Sequence, residues 1–438
     1  MTYQETCEYL YSQMPMFERQ GASGYKEGLD NTLALDAHFG HPHKYFATIH
    51  VAGTNGKGSV SHSIAALLQE VGYRVGLYTS PHLVDFSERI RVNGIPVSEE
   101  YVTSFVENER DFFEPLHPSF FEVTTAMAFK YFKDMNVDIA VVEVGLGGRL
   151  DCTNIITPVV SIITNISFDH TQFLGNTLAE IASEKAGIIK PGVPVVIGEA
   201  TSETRPVFES KAKEMGSPIV FAEDAPEVLS AEMLPEGGMS YKTRTYGTLI
   251  SDLGGIHQQK NMNTILHVLQ ALSERGFLSK SGSGMDFEKS LYELNTALKN
   301  VCAFTGLKGR WQVVQQSPKV VCDTGHNLGG WQYLSRQLSM VKCRKMHIVF
   351  GMVSDKDIEG VIGLLPKDAT YYFTKASSPR AVNEHTLQSL AQKYNIHGTP
   401  YSTVREAYSA ALSNAEANDF VFVGGSSYVV GDFLKYCL

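Results

Sequence analysis

The chain lacks the features that mark membrane, nucleic-acid-binding and disulfide-stabilised proteins. No stretch reaches the roughly 18 consecutive apolar residues of a membrane span, and no block of about five or six like charges occurs. The 47 acidic residues outnumber the 37 basic ones, whereas nucleic-acid binders carry basic patches. The 6 cysteines include no CxxC pair, so neither a disulfide framework nor a zinc site is indicated. We therefore expect a cytoplasmic protein with no membrane or nucleic-acid partner.

Composition and length instead indicate a folded multidomain protein. Hydrophobic residues make up 43% and charged residues 19% of the chain, which is ordinary globular usage. The length of 438 residues is about three times the usual domain size of roughly 150 residues. We expect two or three domains, and no internal repeat is present.

An apolar run, a glycine-rich loop and an amphipathic segment follow one another near the N-terminus. Residues 45–52 are typical of a strand, Gly53–Ser59 form the loop, and apolar residues from Val60 to Val71 recur at helical spacing. This order predicts a parallel β-α-β unit. Further apolar runs that predict buried parallel strands are Ile139–Val144, Val159–Ile163 and Val193–Ile197. The N-terminal domain is therefore predicted to be an α/β fold with a P-loop-type, mostly parallel sheet.

The same alternation restarts after about residue 298 and predicts a second, smaller domain. Its strand candidates are Val320–Cys322, His347–Phe350, Tyr371–Phe373 and Phe420–Val423, with helical segments between them. We predict an N-terminal domain at 1–298, a hinge at 299–306 and a Rossmann-like α/β C-terminal domain at 307–438. The pattern is interrupted at 224–250, and the composition of 279–284 is typical of a solvent loop.

The loop Gly53–Ser59 has the composition of a phosphate-binding loop. Small residues let backbone N–H groups point inward, Lys57 adds a positive charge, and a predicted helix N-terminus lies behind them. The loop departs from the common P-loop pattern, because Val51 replaces the leading glycine and Gly58 replaces the hydroxyl residue that follows the lysine. The alternative interpretation is a glycine-rich turn with a surface lysine.

Polar residues follow several predicted strands, where open α/β folds bind ligands. Ser80 follows one strand, Glu143 ends another, and His170 follows a third. A carboxylate at the end of an apolar strand needs a cation or a donor, which makes Glu143 the first metal candidate. Simpler interpretations stay open: Glu143 as a structural hydrogen-bond acceptor, His170 as a structural histidine, and Lys185 as a solvated surface lysine paired with Glu184 or Glu180.

Eight segments in order across nearly the whole chain resemble the folylpolyglutamate synthase/dihydrofolate synthase family, a branch of the ATP-dependent amide ligases related to the Mur ligases. They are GTNGKGS (53–59), SPHLVDFSERIRVNG (80–94), FFEVTTAMAF (120–129), EVGLGGRLDCTN (143–154), FDHTQFLG (168–175), SEKAGIIKPG (183–192), HQQKN (257–261) and DTGHN (323–327). Two departures concern loop geometry: the proline before Gly309-Arg310 is missing, and DTGH replaces DGAH.

The resemblance implies a role for each matching position. The triphosphate would be held by Thr54, Asn55, Gly56, Lys57, Gly58 and Ser59. Magnesium, as two ions, would be held by Ser80, Glu143 and His170. Asn261, Arg310 and Asp323 would complete the nucleotide site between the domains. The pteroate-binding residues would be Ser119, Phe120, Phe121 and Glu122, with Leu150, Asp151 and Cys152 nearby. Lys185 matches a lysine that the family carbamylates, and the catalytic set would be Lys57, Glu143, His170 and Lys185.

The implied activity is addition of L-glutamate to dihydropteroate, to reduced folates, or to both, through an acyl phosphate formed from ATP. Family habit suggests a monomer. Three alternatives remain open: a folylpolyglutamate synthase without the dihydrofolate synthase activity, a Mur-type ligase that extends a nucleotide-linked peptide, and a nucleotide-binding switch protein. The short stretch before Gly53 argues against the Mur-type ligase, because it leaves no room for a uridine-nucleotide domain.

Overall fold

The computed structural model describes residues 1–15, 28–278 and 287–437, which form two compact units. Unit 1 comprises Met1–Ala231, Tyr241–Asp252 and Gln258–Leu307, and unit 2 comprises Glu232–Ser240, Leu253–His257 and Lys308–Leu438. Two short segments that the sequence placed in the N-terminal domain, Glu232–Ser240 and Leu253–His257, are thus part of unit 2. The predicted solvent loop at 279–284 lies outside the described residues.

Unit 1 is built on a sheet of eight strands in the order β4-β3-β2-β5-β1-β6-β7-β8. Neighbours from β2 to β8 pair in parallel, and β3 and β4 add an antiparallel edge. This confirms the mostly parallel sheet. The strands are β1 (Ala47–Ala52), β2 (Val75–Tyr78), β3 (Ile90–Val92), β4 (Ile95–Pro96), β5 (Ile139–Glu143), β6 (Val160–Ile163), β7 (Val195–Ile197) and β8 (Ile219–Phe221).

Helices cover both faces of this sheet, so its strands are continuous apolar runs. On one face Tyr78 and Val142 pack with the aromatic residues of the helix at Phe120–Asp134. Elsewhere Ile163 and Ile197 pack with the helices at Leu178–Ala186 and Arg205–Met215. The helices of unit 1 are α1 (Tyr3–Gln13), α2 (Asp30–His38), α3 (Lys57–Glu70), α4 (Glu99–Phe113), α5 (Phe120–Asp134), α6 (Thr171–Leu174), α7 (Leu178–Ala186), α8 (Arg205–Met215), α9 (Gln258–Glu274), α10 (Phe287–Lys299) and α11 (Val301–Thr305).

The interrupted stretch at 224–250 folds as a small sheet of its own. Its strands are β9 (Val228–Met233), β10 (Met239–Thr243) and β11 (Thr248–Ser251), in the order β11-β10-β9. The sequence did not predict these strands, because polar and glycine residues such as Gly237 and Gly238 interrupt the apolar pattern.

Unit 2 contains a six-stranded sheet in the order β12-β13-β17-β14-β15-β16, in which only the β12–β13 pair is antiparallel. The smaller α/β domain and all four predicted strands are confirmed. The strands are β12 (Gln312–Gln316), β13 (Lys319–Asp323), β14 (Met346–Phe350), β15 (Thr370–Thr374), β16 (Gly398–Tyr401) and β17 (Phe420–Gly424). The helices are α12 (Leu328–Ser339), α13 (Ile358–Ile362), α14 (Glu384–Gln392), α15 (Val404–Asn414) and α16 (Ser427–Tyr436).

The strand order of unit 1 brings the predicted polar segments to one edge. The neighbours β2, β5, β1 and β6 run in parallel, so the loops after their carboxyl ends meet, as ligand sites of open α/β sheets require. These loops begin at Thr79, Val144, Gly53 and Thr164. In the described part of the chain, no helix is long and apolar enough to cross a membrane.

Candidate active site

The phosphate loop is pinned to the segment that follows β6. The N–H groups of Thr54 and Asn55 donate to the backbone oxygen and to Oδ1 of Asn165, each at 2.9 Å. The Thr164 hydroxyl donates to the Asn55 carbonyl at 2.6 Å. Gly53 has φ +145°, and a Cβ there would overlap the Thr164 side chain, so this close approach requires glycine.

The backbone donors of the loop are therefore divided between two tasks. The N–H groups of Thr54 and Asn55 hold the loop in place. The N–H groups that follow belong to the first turn of helix α3, which begins at Lys57. The first turn of a helix presents N–H groups that have no intrahelical partner, together with a partial positive charge. An anion bound at this loop would therefore meet the N–H groups of residues 56–59. Lys57 Nζ donates to the carbonyls of Gly53 and Thr54, at 3.0 and 3.2 Å, which keeps the ammonium group at the loop.

Helix α9 supports the loop from its other side. The Asn261 amide lies so close to Gly56 that a Cβ there would overlap its Oδ1 atom. Asn261 Nδ2 donates to Gln258 Oε1 at 2.8 Å, and Gln258 Nε2 donates to the buried hydroxyl of Ser59 at 3.1 Å. Sequence reasoning missed Gln258, although its position in the HQQKN segment is a usable signal. The predicted residues Gly56, Ser59 and Asn261 thus meet.

Glu143 ends β5 and is only 4% exposed. The Ser80 N–H group donates to its Oε2 atom at 3.4 Å, so the predicted metal residues Ser80 and Glu143 come together. His170 lies in the segment that follows β6 at the same edge of the sheet, and its backbone is left-handed, with φ 50°.

The donor chemistry of these residues fits magnesium. A carboxylate and a hydroxyl are hard oxygen donors, and Mg²⁺ keeps several waters or phosphate oxygens as further ligands. Among the described residues, His, Cys, Asp and Glu side chains form no cluster of three or more that could hold a metal by themselves. A divalent ion here would therefore depend on nucleotide phosphates as well as on the protein.

Lys185 is buried in the last turn of α7, at 4% exposure. Burial, and secondly the nearby charge of Lys57, lower the pKa of its ammonium group to about 7, although Asp169 and Asp151 oppose the shift. Glu184 pairs with Arg149 instead, at 2.8 Å. The interpretation of Lys185 as a solvated surface lysine is therefore wrong.

The Ser119–Glu122 segment begins helix α5 with a capping box. The Ser119 hydroxyl accepts the Glu122 N–H at 3.2 Å, and Glu122 Oε2 accepts the Ser119 N–H at 2.6 Å. Phe120 is buried in the core and lies under the Arg89 guanidinium group. Phe121 is half-buried, stacks on Tyr78 with ring centroids 5.7 Å apart, and packs against Gly145. Phe121 is thus the member of the segment that reaches the loop after β5.

The Leu150–Cys152 segment closes the same loop. Asp151 Oδ2 accepts the Leu146 N–H at 2.8 Å, and its Oδ1 accepts the N–H and the hydroxyl of Thr153. Burial raises the pKa of the Cys152 thiol well above its usual value, so the group is neutral. Leu150 is half-buried beside them. The structure therefore brings Phe121 and the 150–152 segment to one loop.

Arg310 and Asp323 belong to unit 2. Asp323 ends β13 and is 4% exposed, and its two oxygens accept the N–H groups of Trp311 at 2.7 Å and Gly325 at 2.8 Å. Arg310 is half-buried and directly precedes Trp311. Within unit 2 the two predicted residues are therefore neighbours, whereas Asn261 lies in unit 1.

Models of two Mur ligase domains match the chain. The Mur ligase middle domain matches residues 51–262, and the Mur ligase glutamate ligase domain matches residues 309–427. The chain is 34% identical to the dihydrofolate synthase/folylpolyglutamate synthase of Bacillus subtilis (strain 168), over 99% of this chain and 98% of the relative. It is 31% identical to the folylpolyglutamate synthase of Lacticaseibacillus casei, over 97% and 96%.

Solved structures resemble the chain over its whole length. The structure of E. coli FolC in complex with DHPP and ADP has a TM-score of 0.81 and 30% identity, and the match covers 100% of this chain and 98% of that one. A bifunctional folylpolyglutamate synthase/dihydrofolate synthase with Mn, AMPPNP and L-glutamate bound has a TM-score of 0.79 and 28% identity, with the same coverage.

Proposed function

The chain belongs to the folylpolyglutamate synthase/dihydrofolate synthase family of ATP-dependent ligases, and we propose that it adds L-glutamate both to dihydropteroate and to reduced folates. We infer that it uses ATP and a divalent metal ion, because a similar enzyme of known structure has Mn and AMPPNP bound. The observation that supports the proposal most strongly is the meeting of three features at one sheet edge: the phosphate loop, the buried Glu143 and the Phe121–Gly145 contact.

The first half of the proposed reaction makes the acceptor carboxylate reactive. Carboxylates are poor acyl donors, so the γ-phosphoryl group of ATP is transferred to the acceptor, and the amine of L-glutamate then displaces phosphate. In such transfers the protein mainly positions the groups and neutralises charge. The N–H groups of residues 56–59 and the Lys57 ammonium do so at the phosphates. Ser80, Glu143 and His170 would hold magnesium, which supplies further neutralisation of phosphoryl oxygens.

Lys185 is proposed to be carbamylated. A pKa of about 7 leaves much of the amine neutral at physiological pH, and the neutral amine can attack carbon dioxide, forming an N–C bond and losing a proton. The product is an anion in place of a cation beside Lys57. Burial of two like charges is unfavourable, so this conversion relieves repulsion at the phosphate loop.

The loop formed by Gly145 and residues 150–152 is proposed to bind the pteroate group. Phe121 and Tyr78 already stack there, and aromatic faces favour offset stacking with flat rings. The glutamate substrate is assigned to unit 2, which matches the glutamate ligase domain. Arg310 and Asp323 are proposed to contact the nucleotide. Two magnesium ions and a cytoplasmic monomer remain predictions, and light scattering would test the monomer against its mass of 48.2 kDa.

The decisive experiment measures phosphate release from Mg-ATP with L-glutamate and dihydropteroate, tetrahydrofolate or no acceptor, with products identified by mass. We expect release with both acceptors, and each product should gain one glutamate. Turnover with tetrahydrofolate alone would restrict the enzyme to polyglutamylation. ATP binding without release on either acceptor would reject the folate proposal and favour a nucleotide switch. Turnover only with a nucleotide-linked peptide would indicate the Mur-type reaction.

A further inference from the structure

His50 is a buried polar residue that the proposed chemistry does not use. It lies in the middle of β1, the strand that leads into the phosphate loop, and it is 0% exposed. Burial lowers the pKa of its imidazole to about 3, so the ring is neutral throughout the working pH range. An apolar side chain would fill an interior strand position without this desolvation. The histidine therefore needs another explanation.

The hydrogen bonds around His50 determine its tautomer. His50 Nε2 lies 2.8 Å from the Thr153 hydroxyl oxygen, and the Thr153 hydroxyl donates its single proton to Asp151. Nε2 must therefore carry the proton and donate to Thr153, since a hydroxyl has one proton to give. Nδ1 is then the unprotonated nitrogen, and it is buried with no hydrogen-bond partner among the residues that the structure describes.

These hydrogen bonds, called the relay below, converge on the Asp151 carboxylate from β1 on one side and from the loop at 145–151 on the other. His50 donates to Thr153, and Thr153 donates to Asp151 Oδ1 through both its hydroxyl and its N–H group. Asp151 Oδ2 accepts the Leu146 N–H at 2.8 Å. All of these bonds use Asp151 as an acceptor and favour its ionised form, although burial raises the pKa of the carboxyl. Leu146 follows Gly145, on which the Phe121 ring rests.

We propose that His50 and Thr153 are positioning residues that hold Asp151 and the 145–151 loop in the geometry that binds the acceptor. The inference rests on the proposed function, because it takes this loop as the pteroate-binding loop. Without the donation from His50, the Thr153 hydroxyl loses the partner that directs its proton towards Asp151. The carboxylate then holds the Leu146 N–H less rigidly. Acceptor binding must then order the loop, and the free energy spent on this ordering weakens binding.

The first test compares Thr153→Val with Thr153→Ser. Valine matches threonine in shape but removes the hydroxyl, whereas serine keeps it. For Thr153→Val we expect the KM for dihydropteroate to rise about tenfold, the scale of one buried hydrogen bond, while the KM for ATP stays within about twofold. Thr153→Ser should remain close to the wild-type protein. An equal rise of both KM values, or no change in either, would overturn the proposal.

The second test substitutes His50 itself. The amide nitrogen of glutamine can replace Nε2 as a donor, so His50→Gln should bind the acceptor better than His50→Leu does. His347→Leu is the matched control, because His347 is also a fully buried strand histidine but lies in unit 2. If His347→Leu raised the acceptor KM as much as His50→Leu, the effect would be general destabilisation and the proposal would fail.

A spectroscopic measurement tests the relay without relying on turnover. In ¹⁵N-histidine NMR spectra, the signal lost in His50→Gln should show a protonated Nε2 and an unprotonated Nδ1, with no titration between about pH 5 and 9. The opposite tautomer would overturn the proposal even in an active enzyme. Conversely, a protein that shows the predicted tautomer but turns over neither acceptor would reject the folate assignment. The relay would then remain as a structural feature.

Discussion

Gly56 is constrained in two separate ways. Its φ of +85° lies in the left-handed region, and a Cβ atom would overlap the Asn261 amide. The first constraint could be read from the glycine-rich pattern, since such loops need positive φ values. The second could not, because Asn261 lies about two hundred residues further along the chain.

Gly56→Ala should therefore weaken nucleotide binding more than backbone strain alone would. We expect the Kd for ATP to rise at least about tenfold, since strain in this region amounts to roughly 1–2 kcal/mol and displacement of Asn261 adds to it. Isothermal titration would measure the change. Gly216→Ala is the control, because Gly216 has φ +59° with open space around it. An ATP Kd unchanged in Gly56→Ala would contradict the geometry.

Substitution of Lys185 tests its proposed carbamate. Lys185→Met should lower turnover by about 100-fold or more, the scale of losing one preorganised charged group. Because only the neutral amine reacts and its pKa is about 7, the carbamate should diminish as the pH falls below about 7. NMR with ¹³C-bicarbonate would detect it.

Lys190 provides the matched control for this measurement. Its Nζ donates to the Asn154 carbonyl at 2.8 Å, so we expect Lys190→Met to keep the ¹³C signal. The signal should disappear in Lys185→Met. A carbamate signal that survives in Lys185→Met would place the modification elsewhere.

At the scale of elements, apolar strands and periodic helices were predicted well, whereas polar edge strands were not. The strands β1, β5 and β6 and the helices α3, α12 and α15 follow from apolar periodicity. The edge strands β12 and β16 were missed, because they contain glutamine, proline or glycine and so lack a continuous apolar run. Their strand state depends on pairing with a neighbour, which the local sequence does not encode.

The capping box of α5 fixes where this helix begins. It thereby positions Phe121 against Gly145, in the loop that is proposed to bind the acceptor. Ser119→Ala should reduce the free energy of unfolding by about 1 kcal/mol and should also raise the KM for dihydropteroate. Denaturant unfolding and steady-state kinetics would measure the two effects. Ser98→Ala removes the comparable N-cap of α4 and should affect stability alone. Equal KM changes in both variants would contradict this expectation.

At the scale of the whole molecule, each unit has its own sheet and apolar core. In unit 2 the buried Asp419 precedes β17, accepts two bonds from Arg344 at 2.9 Å each, and lies 3.4 Å from His347. The Arg344 guanidinium, opposed by burial, holds the pKa of Asp419 well below its usual value. This carboxylate therefore joins the starts of two neighbouring strands.

Acid should weaken unit 2 through Asp419. A lowered pKa contributes stability that is fully present above the unfolded value of about 3.9 and is lost as the pH falls towards the folded value. Asp419→Asn should therefore lower the Tm at neutral pH, and its difference from wild type should shrink below about pH 4. The exposed Asp368→Asn is the control. Calorimetry between about pH 7 and 3 would test this, and a difference independent of pH would contradict it.

The sequence by itself determined the fold class and the family. These depend on local periodicity and on short motifs whose residues are adjacent in the chain. Only the tertiary structure decided which partners each group has. It placed Lys185 in the interior rather than on the surface, and it used Glu122 for a helix cap. It also connected Gln258 to Ser59, and His50 to Asp151 through Thr153. Burial and long-range hydrogen bonds control these assignments, and both arise only when distant segments pack together.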